Sequence, residues 1–192
     1  MSDKTKDKIL TVATKLFGRY GFNKTSMDEI AKIARKAKGS LYYHFHSKEI
    51  LFTEVVKREL TNLQTILNKI SQNKEMLAVD KLKQYIVVRM DTIANAVNYN
   101  ETVRADFFEH YDFIDDLREN IDNWEKAQLR IIIEQGIQEG VFKNPSDFDV
   151  ALDTIIMLLK GMELTYFLKD NPRKTNPPLE KVAEILINGV TR

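Results

Sequence analysis

Cysteine is absent from this 192-residue chain, which excludes a disulfide framework, a cysteine-ligated zinc site and a thiol nucleophile. Proline and glycine are scarce, at 4 and 7 residues, and they stand where helices would end rather than inside alternating strand patterns. The chain therefore reads as all-α. Long apolar runs are also missing. The longest, Ile155-Ile156-Met157-Leu158-Leu159, falls far short of the roughly 20 residues that a membrane helix needs, so no membrane partner is expected. The opening MSDKTKDKILTVATKLF mixes Lys and Asp through any apolar stretch and has no signal-peptide core, so a cytoplasmic location is expected. No nucleophile–base–orienter set and no phosphate loop can be found, so an enzyme is not expected, nor any cofactor. His44 and His46 would point about 200° apart on a helix, so no metal site is expected either.

Hydrophobic residues make up 43% of the chain and charged residues 30%, enough to bury a core and too apolar for a disordered polymer. The length suits one domain, or a small module fused to a larger one. Charge of one sign is lacking only in the total. Lys+Arg number 29 and Asp+Glu 28, but residues 1–48 hold 11 against 4, net +7, leaving 49–192 at net −6. One end of the chain is built to meet something anionic.

That basic end divides into three helical segments. Ile9, Ala13, Leu16, Phe17 and Tyr20 recur at helical spacing, and Gly21 follows as a residue able to take positive φ, with Phe22 placed to close back on Phe17 in a Schellman ending. Ser26 and Glu29 stand at capping-box spacing before Ile30, Ala31, Ile33 and Ala34. Arg35-Lys36-Ala37 then separates this short helix from SLYYHF, after which Ser47 offers an N-cap for a long helix. A short helix, a three-residue turn and a second short helix behind a longer one make a helix-turn-helix module. Leu41 and Phe45, four apart, would hold the second helix down. Lys38, Ser40, Tyr42, Tyr43 and His44 remain on its outer surface. Lys38 and Lys48 are placed for phosphates, Gly39 allows close backbone approach, and Ser40, Tyr42 and Tyr43 can reach phosphates, base edges or thymine methyls.

The run TSMDEIAKIARKAKGSLYYHFHSKEIL resembles the DNA-binding signature of TetR-family transcriptional repressors, with a Thr opening the second helix, an Ile-Ala pair, Lys-Gly, Leu-Tyr, an aromatic-rich end and Ser-Lys-Glu. Its recognition helix looks most like the branch that includes multidrug-responsive repressors of efflux genes. The resemblance covers about the first 50 residues. It implies DNA-contact roles for Thr25, Lys38, Gly39, Ser40, Tyr42, Tyr43, His44 and Lys48, with Ser26, Met27 and Lys36 as neighbours. The turn departs from the family pattern. Arg35-Lys36-Ala37 stands where Gly-Val-Ser is usual, so a positive-φ Gly becomes Arg and a Ser cap becomes Ala, each costing on the order of 1 kcal/mol. The exchange adds two positive charges beside the groove.

The resemblance further implies a homodimer on a pseudo-palindromic duplex operator, released by a small hydrophobic or amphipathic effector held in a body of six further helices. Residues 1–48 would be the DNA-binding domain and 49–192 the ligand-binding and dimerisation domain. In the family, effector binding moves helices that connect through the fourth helix to the recognition helix. The residues themselves add two expectations. The helix from Phe148 carries one apolar line at 148, 151, 152, 155, 159, 162 and 166 and a second through Met157, Gly161, Leu164 and Leu168; the segment after Pro177-Pro178 is equally apolar. This surplus reads either as two helices central in a monomeric core or, together with the resemblance, as a dimer face made by Ile156, Met157, Gly161, Leu164, Leu168, Val182, Leu186 and Val190. Residues 101–126 hold nine carboxylates against three cations, interleaved with Phe107, Phe108, Tyr111, Phe113 and Trp124. They read either as an acidic outer face over an aromatic core or as the lining for a lipophilic cation. Candidate effector contacts are Phe107, Phe108, Tyr111 and Trp124, together with Met90, Tyr99, Met162 and Tyr166. A helical ligand carrier or protein-interaction module with a basic head and no specific DNA binding is the alternative, and salt-dependent duplex binding separates the two.

Overall fold

The computed structural model describes residues 2–105, 111–167 and 178–191. Nine α-helices and no strand are found among them: α1 Ser2–Tyr20, α2 Met27–Ala34, α3 Lys38–His44, α4 Lys48–Ser71, α5 Ala78–Ala94, α6 Val97–Ala105, α7 Asp115–Gln138, α8 Phe148–Phe167 and α9 Leu179–Val190. The all-α expectation holds, and six helices follow the first three. They form two compact units, Met1–Thr61 with Ala96–Leu117, and Asn62–Asn95 with Arg118–Arg192, so α4 and α7 each carry a unit boundary within their length. The units are spatial groupings. The expected domain division at residue 48 rests on the roles of the residues and not on this spatial grouping.

In the first unit α1 packs against α2, α3 and α6. Four of the five residues of the apolar stripe, Ile9, Ala13, Leu16 and Phe17, are buried, whereas Tyr20, in the last turn of the helix, is exposed. Gly21 takes φ 82 and its N–H donates to the Phe17 carbonyl at 2.7 Å. The Phe22 ring closes to 6.1 Å from that of Phe17. The second Schellman bond is not made, however. The Phe22 N–H donates instead to the Glu101 carboxylate at 2.6 Å, so α1 ends in the simpler αL form with a side chain from α6 covering the next donor.

Helix α2 starts where Ser26 accepts the Glu29 N–H at 3.2 Å. It ends at Arg35, whose φ of 53 and ψ of 49 place an arginine in the left-handed region that glycine usually fills. The Arg35 N–H donates to the Lys32 carbonyl and the Lys36 N–H to the Ala31 carbonyl, a complete Schellman ending. Ala37 caps α3 with extended backbone and no side-chain bond, as its methyl side chain requires. Helix α4 begins at Ser47, whose hydroxyl accepts the Ile50 N–H. The orphan donors that open α6 are met by Glu59 of α4, which accepts the N–H of Tyr99 at 2.9 Å and the side-chain amide of Asn98 at 2.7 Å.

In the second unit α5 packs against both α8 and α9. A buried charge cluster crosses three of its helices. Arg89 of α5 donates through Nε and Nη2 to both oxygens of Glu125 on α7, at 2.7 and 2.9 Å, and Nη2 lies 2.6 Å from Glu163 on α8. The Tyr85 hydroxyl donates to Glu125 at 3.1 Å, and burial holds its pKa well above the ordinary tyrosine value. All four side chains are buried. Beyond α7 the chain turns at Gly140, φ 76, and brings the Phe142 ring over Gly136, where any Cβ would clash with the ring. Phe142 also forms an isolated antiparallel bridge with Thr191, next to α9.

Removing Arg89 would strand two buried carboxylates in a low-dielectric interior. Arg89→Ala is expected to cost about 3–5 kcal/mol of unfolding free energy in urea titrations, and a loss below about 1 kcal/mol would show that the cluster does not tie the three helices.

Candidate nucleic-acid interface

Helix α3 has seven residues, and one of them, with the residue that ends it, is spent on attachment. Leu41 and the following Phe45 are buried, as their spacing predicts. Tyr43 is 76% exposed and Tyr42 37%. Lys38 and Gly39 are exposed as well, and Ser40 and His44 are half-buried. Gly39 has open space where a Cβ would stand, so nothing in the chain itself hinders close approach there. Six of the predicted contact residues thus share one outward surface on one short helix.

The flanking candidates are placed differently. Thr25 is buried, and its hydroxyl donates to the carbonyls of Gly21 and Leu16, where it locks the α1–α2 turn. Met27 is buried too. Ser26 is exposed but occupied as the α2 cap. The Lys36 ammonium donates to the Thr5 hydroxyl at 3.1 Å. Lys48 donates to the Phe22 carbonyl at 3.0 Å and lies 4.3 Å from the centre of the Phe22 ring. Lys38 pairs with Asp28 at 2.8 Å, both groups being exposed, and the hydrogen bond with Asp28 holds the lysine pKa above its ordinary value. These three lysines are therefore engaged by local partners.

Behind this surface, Phe17, Phe22, Phe52, Tyr111 and Phe113 form an aromatic core, with neighbouring ring centres between 5.0 and 6.4 Å apart. Tyr111, one of the candidate effector contacts, and Phe113 pack inside the first unit against Phe22 and Phe52, as the reading of an aromatic core beneath the acidic stretch expects. Tyr99 is buried in that unit as well. Glu101 stands at its edge, with its carboxylate on the Phe22 N–H, and burial raises its pKa against the opposing pull of that bond, Arg104 and Lys48. Burial likewise raises Glu59.

Of the remaining effector candidates, Met90 is buried in the second unit, Trp124 and Met162 are half-buried there, and Phe107, Phe108 and the side chain of Tyr166 lie outside the described residues. Two adjoining grooves of about 310 and 370 Å³ are lined by other residues, among them Ile155, Leu158, Leu186 and Val190. On the expected dimer face Met157 is 65% exposed, Gly161 exposed, and Leu164, Val182, Leu186 and Val190 half-buried. Ile156 turns into the chain's own core, since it falls one helical step from the exposed line. Leu168 lies outside the described residues. Ile185, which the apolar pattern did not single out, is 71% exposed on α9. Sequence reasoning also passed over Arg89 and Glu163, although each stands four residues from a buried apolar residue on its own helix, Tyr85 and Leu159, where a charge needs a partner.

The family model for bacterial regulatory proteins of the tetR family matches residues 9–55. The HTH-type transcriptional regulator QacR of Staphylococcus aureus is 25% identical over 97% of this chain and 98% of its own length. IcaR of the same species, described as a negative transcriptional regulator of the biofilm operon icaADBC, is 40% identical over 42% of this chain and 43% of its own. Among solved structures, a transcriptional regulator from Cytophaga hutchinsonii matches with a TM-score of 0.79 and 27% identity over 96% of this chain and 97% of that one.

The raised carboxyls give a pH test of the first unit. A carboxyl with a higher pKa when folded binds protons more tightly in the native state, so its contribution to stability is present at low pH and is lost as pH rises from the ordinary value of 4.5 through the raised one. Glu101→Gln is expected to flatten the fall in stability with rising pH over that window while retaining an acceptor for the Phe22 N–H. Denaturant titrations across the window check this, and an unchanged slope would contradict the placement of Glu101.

Proposed function

We propose that the chain is a TetR-family transcriptional regulator that works as a homodimeric repressor, binding a pseudo-palindromic duplex operator through residues 24–48 and leaving it when a small hydrophobic or amphipathic effector binds. The observation that carries this reading is α3 itself: buried by Leu41 and Phe45, it turns Lys38, Gly39, Ser40, Tyr42 and Tyr43 outward within a segment that matches the family model. A seven-residue helix with two outward tyrosines has the width and the hydrogen-bonding groups for the major groove. Ser40, Tyr42, Tyr43 and His44 are assigned to bases and adjoining phosphates, and Lys36, Lys38, Lys48 and Ser26 to phosphates. Thr25 serves by fixing the approach of α2. The named relatives are regulators of transcription, and the negative regulation in the description of IcaR supports repression here.

Residues 49–192 take the effector-binding and dimerisation roles in this reading. The effector is assigned to the second unit near Met90, Trp124 and Met162. The partner copy is assigned to the exposed line through Met157, Gly161 and Leu164 on α8 with Leu186, Val190 and Ile185 on α9, because an apolar surface of this kind is costly to leave in water. No described helix is long and apolar enough to cross a membrane, and action on DNA places the protein in the cytoplasm in this proposal.

Lys38→Ala with Tyr42→Ala is expected to abolish duplex retention in gel-shift assays while leaving helicity by circular dichroism unchanged. Retention of duplex by this double variant at moderate salt would overturn the interface. A pair of charges tests the partner face: Met157→Asp with Ile185→Asp is expected to give monomers in sedimentation velocity, and a dimer of parental stability would remove these helices from the interface.

A further inference from the structure

Arg35 is the only non-glycine residue with positive φ among the described residues. An L side chain in the left-handed region is disfavoured, and such a residue persists where the surroundings impose it or where its side chain is needed. The surroundings here impose only the turn. Two backbone bonds, from Arg35 to Lys32 and from Lys36 to Ala31, fix it, and a glycine would satisfy both equally well. What glycine would lack is the guanidinium. The Arg35 side chain is exposed, and no hydrogen bond or ion pair engages it among the described residues. Its neighbours are otherwise occupied: Lys36 by Thr5, Lys38 by Asp28 and Lys48 by the Phe22 carbonyl and ring. Each of those ammonium groups must give up a partner before meeting a phosphate. Arg35 has nothing to break. It also stands three residues ahead of Lys38, the first residue of α3, on a backbone whose position is already set.

We propose that Arg35 is a phosphate clamp of the operator backbone, a strained turn residue retained because its free guanidinium grips one DNA phosphate beside the recognition helix. The inference rests on the DNA-binding reading above and adds a contact made by a residue where the family pattern has glycine. A guanidinium is suited to the role, since its planar fork can donate two parallel bonds to a phosphate and keeps its charge at any physiological pH. The contact carries no sequence information and therefore acts on any duplex.

The test uses the full-length protein and a short duplex of arbitrary sequence, with affinity measured across a salt series and thermal midpoints recorded in parallel. Arg35→Gln keeps the strained backbone and loses the charge; it is expected to bind several-fold more weakly, with the salt slope reduced by about 0.9 for each Arg35 engaged and no gain in thermal midpoint. Arg35→Gly is expected to lose the same slope while its midpoint rises by about 2–4 °C, a protein made more stable and a poorer binder at once. Arg35→Lys should restore most of the slope. Arg35→Gln with parental affinity and slope would overturn the clamp. A parent chain with no salt-dependent duplex binding at all would overturn the DNA-binding reading itself, and the clamp with it.

Discussion

A helix of seven residues cannot hold its shape alone in water, because nucleation costs more than two turns of hydrogen bonds return. The reading head is organised around that constraint. Leu41 and Phe45 pin α3 to the core, α1 packs on both α2 and α3, and the Lys6 ammonium lies 5.7 Å above the Phe45 ring. The same brevity frees the rest of the helix. With so few residues facing inward, Tyr42 and Tyr43 have no core to enter and stay in solvent. The turn before α3 must then reverse the chain within three residues, which forces one of them into the left-handed region. Dependence on neighbours, outward tyrosines and a strained Arg35 are three consequences of one length.

Carboxylates supply the ties that apolar packing alone would leave loose. A buried amide donor without a partner costs free energy comparable to a lost hydrogen bond, so the ends of α1 and α6 each need an acceptor from elsewhere. Glu101 covers the Phe22 N–H and Glu59 covers the start of α6. Together they make α6 part of the same compact unit as α1 and α3. In the second unit Arg89 plays the corresponding part, joining α7 and α8 to α5 through two carboxylates. Burying charges is expensive, and such clusters specify one arrangement of helices more than they stabilise it, because any slip of one helix against another leaves an ion without its partner.

Features set by nearest neighbours were legible in the sequence. Ser26 and Ser47 cap the helices they precede, Gly21 takes positive φ, and Ala37 leaves α3 without a side-chain cap, while the positive φ of Arg35 was legible only through the family resemblance. Periodicity gave the buried faces of α1 and α3, save for Tyr20 in the last turn of α1, which is exposed. It could not say what those faces meet. The donor on Phe22 finds its acceptor 79 residues away, in an acidic stretch that reads as solvated surface. Tyr111 and Phe113 belong to the core of the first unit for the same reason, since their destination is fixed by Phe22 and Phe52 rather than by the acidic residues beside them in the chain. The buried cluster left a faint signal: Arg89 and Glu163 interrupt apolar stripes at helical spacing, and a charge at such a position must be paired. Of the candidate interface, the outward set on α3 was legible, whereas the pairing of Lys38 with Asp28 across the turn was not, because it depends on how α2 and α3 pack.

Charge sums along the chain mislead in the same way. The nine carboxylates of residues 101–126 look like a bare acidic field, yet Glu125 is neutralised by Arg89, Asp122 pairs with Lys160, and Lys126 serves Asp153 on α8. Glu101 lies in the first unit, within the field of Lys48. The basic head is compensated in part as well, through Lys38–Asp28, Arg58–Asp7 and Lys6–Glu54. These exposed pairs are worth roughly 0–1 kcal/mol each and weaken with salt, so a phosphate can displace Asp28 from Lys38 at little cost. In the proposed interface, cations with no partner to lose therefore carry the attraction to DNA first, and those that must exchange one follow. Salt acts on both steps in opposite directions, weakening the long-range attraction while loosening the pairs that hold the second set of cations back.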